Sequence, residues 1–555
     1  PEDDLSRVAP MLKQRRDDLI GAMVLNVGKT FHEADSEVSE AIDFVNFYQR
    51  SKEQLKFLED VQFKPKGATL IAPPWNFPVS IPMGGIIAAL LMGNNVIFKP
   101  PKESVLPAWI LAETLWQAGI SKKRLQFVMC NDEPEGSLLV QDPRVKLVVL
   151  TGSSATARLF HRIQNGIKLI GETGGKNAII VSNLSDHDLA IKDILHSAFS
   201  FSGQKCSAAS LLILHEELYD NPDFKRQFLD AAKSYKVGSA WDLGTKVNPL
   251  INEPSPHLLK ALTELEEGEE WLLEPAVDPQ NTRLWSPGIK WGVKKGSFTH
   301  QTEFFGPVLG VIKYSRLEEA IDVVNSTPYG LTSGLFSLDP REMNIWKEKI
   351  IAGNLYINRT VTGAIVERQP FGGTKESFYG CGFKAGGPNY LFAYANKENK
   401  SSSNKITYDA FFKGYFSKNH DPAQILGQDN LLSYVPHKKV YAFGDKEDLK
   451  WVIEACKVTH TPLETFQGDE EDFIKHLPDR AIVRLTKPPS DYLSKELNLR
   501  ACMVYQGPPL ANGRVELLNY LREVALSYDY HRYGNLGVRE KQREGFYKGG
   551  AKRCP

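Results

Sequence analysis

Ala68-Thr69-Leu70-Ile71-Ala72-Pro73-Pro74-Trp75-Asn76-Phe77-Pro78 decides how this chain folds. Its first five residues read as a short buried strand. The prolines that bracket Trp75-Asn76-Phe77 stop the strand and hold Asn76 rigidly at its carboxyl end. Outward from there the pattern repeats. A helix over 84–92 leads into Asn95-Val96-Ile97-Phe98-Lys99-Pro100, a second buried strand that delivers Lys99. Helix 105–118, strand 125–129, helix 133–140 and Lys146-Leu147-Val148-Val149-Leu150 continue the alternation. Strands separated by helices of this length imply an α/β fold with open, doubly wound parallel sheets of Rossmann type. Thr151-Gly152-Ser153-Ser154 then makes a small-residue turn before helix 155–164, where backbone amides can face a phosphate. No G-x-G-x-x-G follows any of these strands, so the usual dinucleotide fingerprint is absent.

Upstream, 11–60 reads as helices with apolar stripes at Leu12, Leu19, Ile20, Met23, Val24 and at Val38, Ile42, Phe44, Val45, Phe47, broken at Gly28-Lys29-Thr30. Downstream, Ile167-Lys168-Leu169-Ile170-Gly171-Glu172 ends an apolar strand on a carboxylate. Buried there, Glu172 would have a raised pKa and could act as a base; its local sequence equally suits a solvated loop glutamate. Between a helical run (188–200) and an apolar strand (211–214) lies Phe201-Ser202-Gly203-Gln204-Lys205-Cys206-Ser207. A lysine beside Cys206 would lower the thiol pKa and supply the thiolate a nucleophile needs; the alternative is an inert packing cysteine. Glu303-Phe304-Phe305-Gly306-Pro307 precedes strand 309–314, and 353–394 is rich in glycine. Ser401-Ser402-Ser403-Asn404-Lys405 reads as linker. From 438 to 530 the alternation returns as a second, smaller α/β domain, ending in a helix over 514–527. Cys456 and Cys502 read as its core, and His531 as part of a docking segment or as a catalytic histidine.

The bulk numbers narrow the class. The 555 residues exceed one core and imply several domains, with 42% hydrophobic and 24% charged residues marking a globular chain. Lys+Arg and Asp+Glu both total 67, so no net field draws nucleic acid. Six scattered cysteines lack metal-finger or disulfide spacing, which points to a reducing compartment and no metal. No apolar run is long enough for an integral membrane span. Pro1 opens abruptly in polar sequence, and we expect a fragment or processed piece.

Asn76, Lys99, Gly152-Ser153, Glu172, Cys206 and Glu303-Phe304-Phe305-Gly306-Pro307, in this order, resemble the aldehyde dehydrogenase superfamily. Within it, Ser202–Ser207, Gln369-Pro370-Phe371-Gly372-Gly373 and Lys384-Ala385-Gly386-Gly387-Pro388 are similar to the L-glutamate γ-semialdehyde (pyrroline-5-carboxylate) dehydrogenase branch. Ala511-Asn512-Gly513-Arg514-Val515-Glu516-Leu517-Leu518 and the tail from Tyr530 resemble the C-terminal domain of bifunctional proline utilization A proteins. Those carry an upstream flavin-dependent proline dehydrogenase barrel; FAD would enter only with such a domain on the same chain.

The resemblance implies NAD(P)-dependent oxidation of L-glutamate γ-semialdehyde to L-glutamate, the last step of proline catabolism. Cys206 would be the nucleophile, Asn76 an oxyanion donor and Glu172 the general base. Lys99, Gly152, Ser153, Glu303 and Phe305 would hold the cofactor. Lys102 stands where NAD-preferring relatives often carry glutamate, leaving NADP open beside NAD. Ser207 with the Gly363 and Ala364 amides would anchor the substrate carboxylate, Phe77 and Phe371 would clamp its chain, and Glu40 would face its ammonium. The rivals are a dehydrogenase for another short aldehyde and a non-catalytic scaffold. A two-residue insertion is read at Phe378-Tyr379. The expected domains are 1–180 (first part of an NAD(P)-binding domain, truncated at its N-terminus), 181–360 (catalytic), 361–400 (anchor loop and return segment), 401–437 (linker) and 438–555 (C-terminal domain and tail). A homo-oligomer is expected, cytoplasmic or held peripherally at a membrane, with a proline dehydrogenase domain as possible partner.

Overall fold

The structure, a computed structural model, describes residues 5–400 and 405–530. Pro1, most of the serine-rich run at 401–404, His531 with its tail, and Cys554 lie outside the described residues. Three parallel-rich sheets carry the chain. The first has six strands in the order Phe378–Gly380, Leu169–Glu172, Val145–Thr151, Ala68–Ala72, Asn95–Phe98, Leu125–Phe127. All its pairings are parallel except the edge made by Phe378–Gly380. Chain order reverses between Ala68–Ala72 and Val145–Thr151, so the loops carrying Asn76 and Ser153 diverge there and open a crevice.

The second sheet has nine strands. Seven parallel strands (Leu521–Asp529, Asn354–Ile357, Thr332–Phe336, Asn177–Val181, Ala209–His215, Val308–Tyr314, Gly288–Trp291) are flanked by antiparallel edges at Gln428–Pro436 and Glu270–Leu273. Every residue of Asn177–Val181 is buried, as a central parallel strand covered on both faces requires. The third sheet has four parallel strands: Leu463–Phe466, Val440–Phe443, Ile482–Leu485 and Met503–Gln506.

Two sequence expectations fail in the C-terminal part. The helix expected over 514–527 is one turn, Gly513–Glu516, followed by strand Leu521–Asp529. The stretch 401–437, expected as linker, contains strand Gln428–Pro436. Both strands join the nine-stranded sheet, so the four-stranded unit between them hangs from it as an insertion. Phe378-Tyr379, read as an insertion, is the edge strand that pairs with Gly171 and Glu172.

Three helices open the described chain, and the longest, Phe31–Gln54, positions the site. It buries Ala34, Val38, Ala41, Val45 and Tyr48 and packs against helix Ser80–Leu91, which is apolar but for Ser80. Gly28, in the left-handed region at φ 70°, ends the preceding helix Arg16–Val27. Among the described residues no helix is long and apolar enough to cross a membrane.

Candidate active site

The carboxyl edge of the six-stranded sheet faces the amino edge of the nine-stranded sheet across a cavity of about 760 Å³. From the first come Asn76, Lys99, Gly152, Ser153 and Glu172 at strand ends. From the second come Cys206 and Ser207, just before strand Ala209–His215, and Glu303 and Phe305, just before Val308–Tyr314. Phe77, Gly363, Ala364, Phe371 and Glu40 complete the wall. Fourteen of the fifteen residues singled out in sequence thus line one space. Lys102 does not: it sits exposed in a short 3₁₀ turn and is not on the cavity wall.

The loop before Cys206 is held from several directions. Phe201, Ser202 and Gly203 are all left-handed, at φ 53°, 54° and 69°. Gly203 has to lack a side chain, because a Cβ there would meet the Gly306 carbonyl oxygen at 2.3 Å. Asn177 Nδ2 donates to the carbonyls of Cys206 (2.7 Å) and Ala208 (2.9 Å), pinning the peptide of Cys206 itself. Asn76 Nδ2 donates to the Gln204 carbonyl at 2.9 Å, which fixes this amide beside the loop. A primary amide carries two N–H bonds, so one remains for an oxyanion in the cavity.

The electrostatics differ from the sequence reading at the thiol. Lys205 does not serve Cys206; its ammonium donates to Ser200 Oγ (3.0 Å) and pairs with Glu33 on the long helix (3.0 Å). Burial, reinforced by the Glu172 and Glu303 carboxylates, pushes the Cys206 thiol up to about 12. The resting group is therefore a thiol that needs a base. Glu172 fits that need: burial raises its carboxyl to about 7, and its Oε1 has no hydrogen-bond partner among the described residues. A solvated loop glutamate, the alternative open in sequence, does not describe it.

Glu303 accepts from the Gly175 amide at 2.8 Å, and burial raises its carboxyl to about 7. Its carboxylate packs so closely that a Cβ on Gly174 would lie 2.0 Å from Oε2. Lys99 pairs with Asp132, also on the wall, at 2.5 Å. Ser153 caps helix Ser154–Ile163, accepting from Thr156 N at 3.1 Å, so that helix presents its amino end to the cavity. Burial raises Glu40 to about 7.

Sequence reasoning missed Asn177, Asp132 and the pair Lys29–Glu37. Both members of that pair are buried and bonded to each other. Glu37 also accepts from the amides of Val79 (2.8 Å) and Ser80 (3.1 Å), the start of helix Ser80–Leu91. Lys29 Nζ sits 3.7 Å from the Phe77 ring centroid. The pair thereby supports the loop that bears Asn76 and Phe77. Glu37 lies one helical turn before Glu40, and that spacing was the available signal.

A thiol, a primary amide and a buried carboxylate around one dinucleotide-sized cavity are the groups that aldehyde oxidation through a covalent adduct calls for. The comparisons agree: the aldehyde dehydrogenase family profile matches residues 3–399, and this chain belongs to that family. It is 35% identical over 414 residues to 1-pyrroline-5-carboxylate dehydrogenase of Staphylococcus haemolyticus, covering 71% of this chain and 79% of that one. Proline utilization A (PutA) from Corynebacterium freiburgense has a similar structure, with TM-score 0.90 and 39% identity over 96% of this chain. This chain spans 57% of that protein's length. A 1-pyrroline-5-carboxylate dehydrogenase from Thermus with bound NAD matches at TM-score 0.66 and 32% identity, covering 71% of this chain and 79% of that one.

Proposed function

We propose that this chain oxidises L-glutamate γ-semialdehyde, the ring-opened form of 1-pyrroline-5-carboxylate, to L-glutamate. The observation that carries this reading is the convergence of Cys206, Asn76 and an unpartnered Glu172 oxygen on one cavity. As Cys206 sulfur attacks the aldehyde carbon, the thiol proton passes to Glu172 and the carbonyl electrons move onto oxygen. The free Asn76 N–H and the Cys206 amide stabilise that oxyanion, each such donor contributing about 3–4 kcal/mol to the barrier. Bound NAD supplies a hydride acceptor, leaving a Cys206 thioester. Glu172, its proton released to solvent, then takes one from water as the water oxygen bonds to the thioester carbon; the C–S bond breaks, the product leaves as carboxylate with its proton to solvent, and the Cys206 sulfur takes the proton back from Glu172.

The wall suits NAD. Lys99, the amino end of helix Ser154–Ile163, Glu303 and Phe305 would hold the bound cofactor: Lys99 at the adenosine ribose, the helix end at the pyrophosphate, Glu303 at the nicotinamide ribose and Phe305 beside the ring. The cavity volume lies in the ~300–1,000 Å³ range of small-molecule and cofactor pockets. Asp132 beside Lys99 disfavours a 2′-phosphate by charge, and Lys102 is exposed and off the cavity wall. In the substrate half, Ser207 and the Gly363 and Ala364 amides take the α-carboxylate, Phe77 and Phe371 clamp the methylenes, and Glu40 takes the ammonium. A flavin-dependent proline dehydrogenase domain, on this chain or a partner, supplies the substrate.

Cys206→Ala decides the chemistry: NADH formation should fall at least ~10³-fold with folding unchanged. Undiminished activity would remove the nucleophile. Butanal, which lacks the α-carboxylate and ammonium, should show a kcat/KM lower by ~10²-fold or more. Equal values would leave a general aldehyde dehydrogenase.

A further inference from the structure

The loop that lends Gly363 and Ala364 to the cavity leaves the end of strand Asn354–Ile357 and returns at Gln369. Its tip is open: Gly363 is exposed and left-handed at φ 75°, and Ala364 is half-buried. Both ends of the loop are tied to the C-terminal strands. Asn430 on Gln428–Pro436 stands directly opposite Ser527 on Leu521–Asp529, so their side chains share one face of the pair. Ser527 Oγ donates to Asn430 Oδ1 at 2.9 Å, and Asn430 Nδ2 donates to Gln428 Oε1 at 2.9 Å. At the returning end, Gln369 Nε2 donates to Asn430 Oδ1 at 2.5 Å and to Ser527 Oγ at 3.3 Å. Gln369 Oε1 accepts from the Ile365 amide at 2.9 Å. At the leaving end, Arg359 Nη1 donates to the same Ser527 Oγ at 2.6 Å. Gln369, Asn430 and Ser527 are each at most 2% exposed, so none of them can turn to water instead.

We propose that Asn430 and Ser527 are positioning residues for substrate selection: through Gln369 and Arg359 they aim the Gly363 and Ala364 amides at the substrate α-carboxylate. The proposal rests on the reading of those amides as the carboxylate anchor. The path is short. The Ile365 N–H belongs to the peptide bond that follows Ala364, so one side chain, Gln369, ties that peptide to Asn430. The link is also directional. The oxygen of the Gln369 amide meets a donor and its nitrogen meets acceptors, and a flipped amide would set like against like at both ends. Val361 is held separately, its amide donating to Ser197 Oγ at 3.2 Å, so losing the C-terminal hold loosens the tip without releasing the whole loop. The Cys206 loop is held by other bonds, from Asn177 and Asn76. A misdirected anchor therefore weakens the binding of a carboxylate-bearing aldehyde and leaves the thiol chemistry as it was.

The test compares L-glutamate γ-semialdehyde with butanal on the full chain carrying Ser527→Ala, Asn430→Ala, Gln369→Leu, or Asn430→Ala with Gln369→Leu. In each single variant KM for the semialdehyde should rise about tenfold, while kcat/KM for butanal and KM for NAD stay within about twofold of wild type. L-Glutamate, which bears the same α-carboxylate, should inhibit the variants about tenfold less well. The paired variant should go no further than Gln369→Leu alone, because both substitutions cut one link. An unmoved KM in folded Ser527→Ala and Asn430→Ala overturns the proposal, and so does an additive loss in the paired variant. An equal loss on both aldehydes, the mark of a brace for the whole fold, overturns it too. Should Asn430→Ala fail to fold, Ser527→Ala, which removes a single hydroxyl, decides by itself. A wild-type chain that uses the two aldehydes equally well sinks the anchor reading and this role with it. A wild-type preference that persists unchanged in the variants sinks the role of Asn430 and Ser527 alone.

Discussion

Glu172 ends strand Leu169–Glu172 at the cavity, and Glu516 ends the short helix Gly513–Glu516 in the C-terminal insertion; both are carboxylates largely withdrawn from water. Glu516 is 1% exposed and saturated. It accepts from Arg484 Nη2 (3.0 Å), Tyr520 Oη (2.7 Å) and the Leu510 amide (3.0 Å). Arg484 in turn spends Nη1 on the carbonyls of Leu485 (2.7 Å) and Gly507 (2.6 Å). Glu172 is also desolvated, yet one of its oxygens has no partner among the described residues. The same burial thus has two outcomes. A carboxylate surrounded by donors is a fixed strut, and one left short of donors holds its proton near neutrality and can exchange it. In the insertion the buried charges of Arg484 and Glu516 are paired with one another.

The comparison breaks most directly at Glu172. Glu172→Gln should leave folding intact, keep the first turnover's burst of reduced cofactor, and slow steady-state hydrolysis by ~10²–10⁴-fold. A variant that unfolds instead would make Glu172 a strut like Glu516. Arg484→Met provides the converse: it strands Glu516 without its cation and should cost about 3–5 kcal/mol of stability, read by denaturant titration, with kcat per folded molecule unchanged. The smallest effect separates the two groups by pH. Glu172 keeps its proton up to about 7 when folded, against an ordinary value of 4.5 in the unfolded chain. The folded state binds more protons between those values, so this group's contribution to stability is lost as pH rises through about 7. Glu172→Gln should therefore raise the melting temperature by a few degrees at about pH 8 and leave it unchanged at about pH 4. Glu516→Gln should lower it at about pH 8.

Much of the site was legible because Asn76, Lys99, Ser153, Glu172, Cys206 and Glu303 stand at or near strand ends, and strand ends are marked locally. Pro73-Pro74 and Pro78 frame Asn76, apolar runs deliver Lys99 and Glu172, and Gly203 flags the turn before Cys206. Lys205 misled for the same reason that it was noticed. Its adjacency to Cys206 in sequence says nothing of the direction in which its side chain leaves, and Glu33, far away in the chain, takes it. Lys102 likewise carried the right charge but sits on the outside of a turn. The strand at Leu521–Asp529 hid as a helix because its buried face includes Glu523, so the two-residue alternation was masked by a charge.

The amino-acid sequence by itself determined the α/β alternation and the chemical types that stand at the strand ends. These are local properties of periodicity and turn composition. Only the tertiary structure decided the order of the strands, which carboxylates are paired, that burial pushes the Cys206 thiol up, and that two C-terminal strands complete the nine-stranded sheet. Desolvation and countercharge depend on neighbours brought from hundreds of residues away, and no short window of sequence carries them.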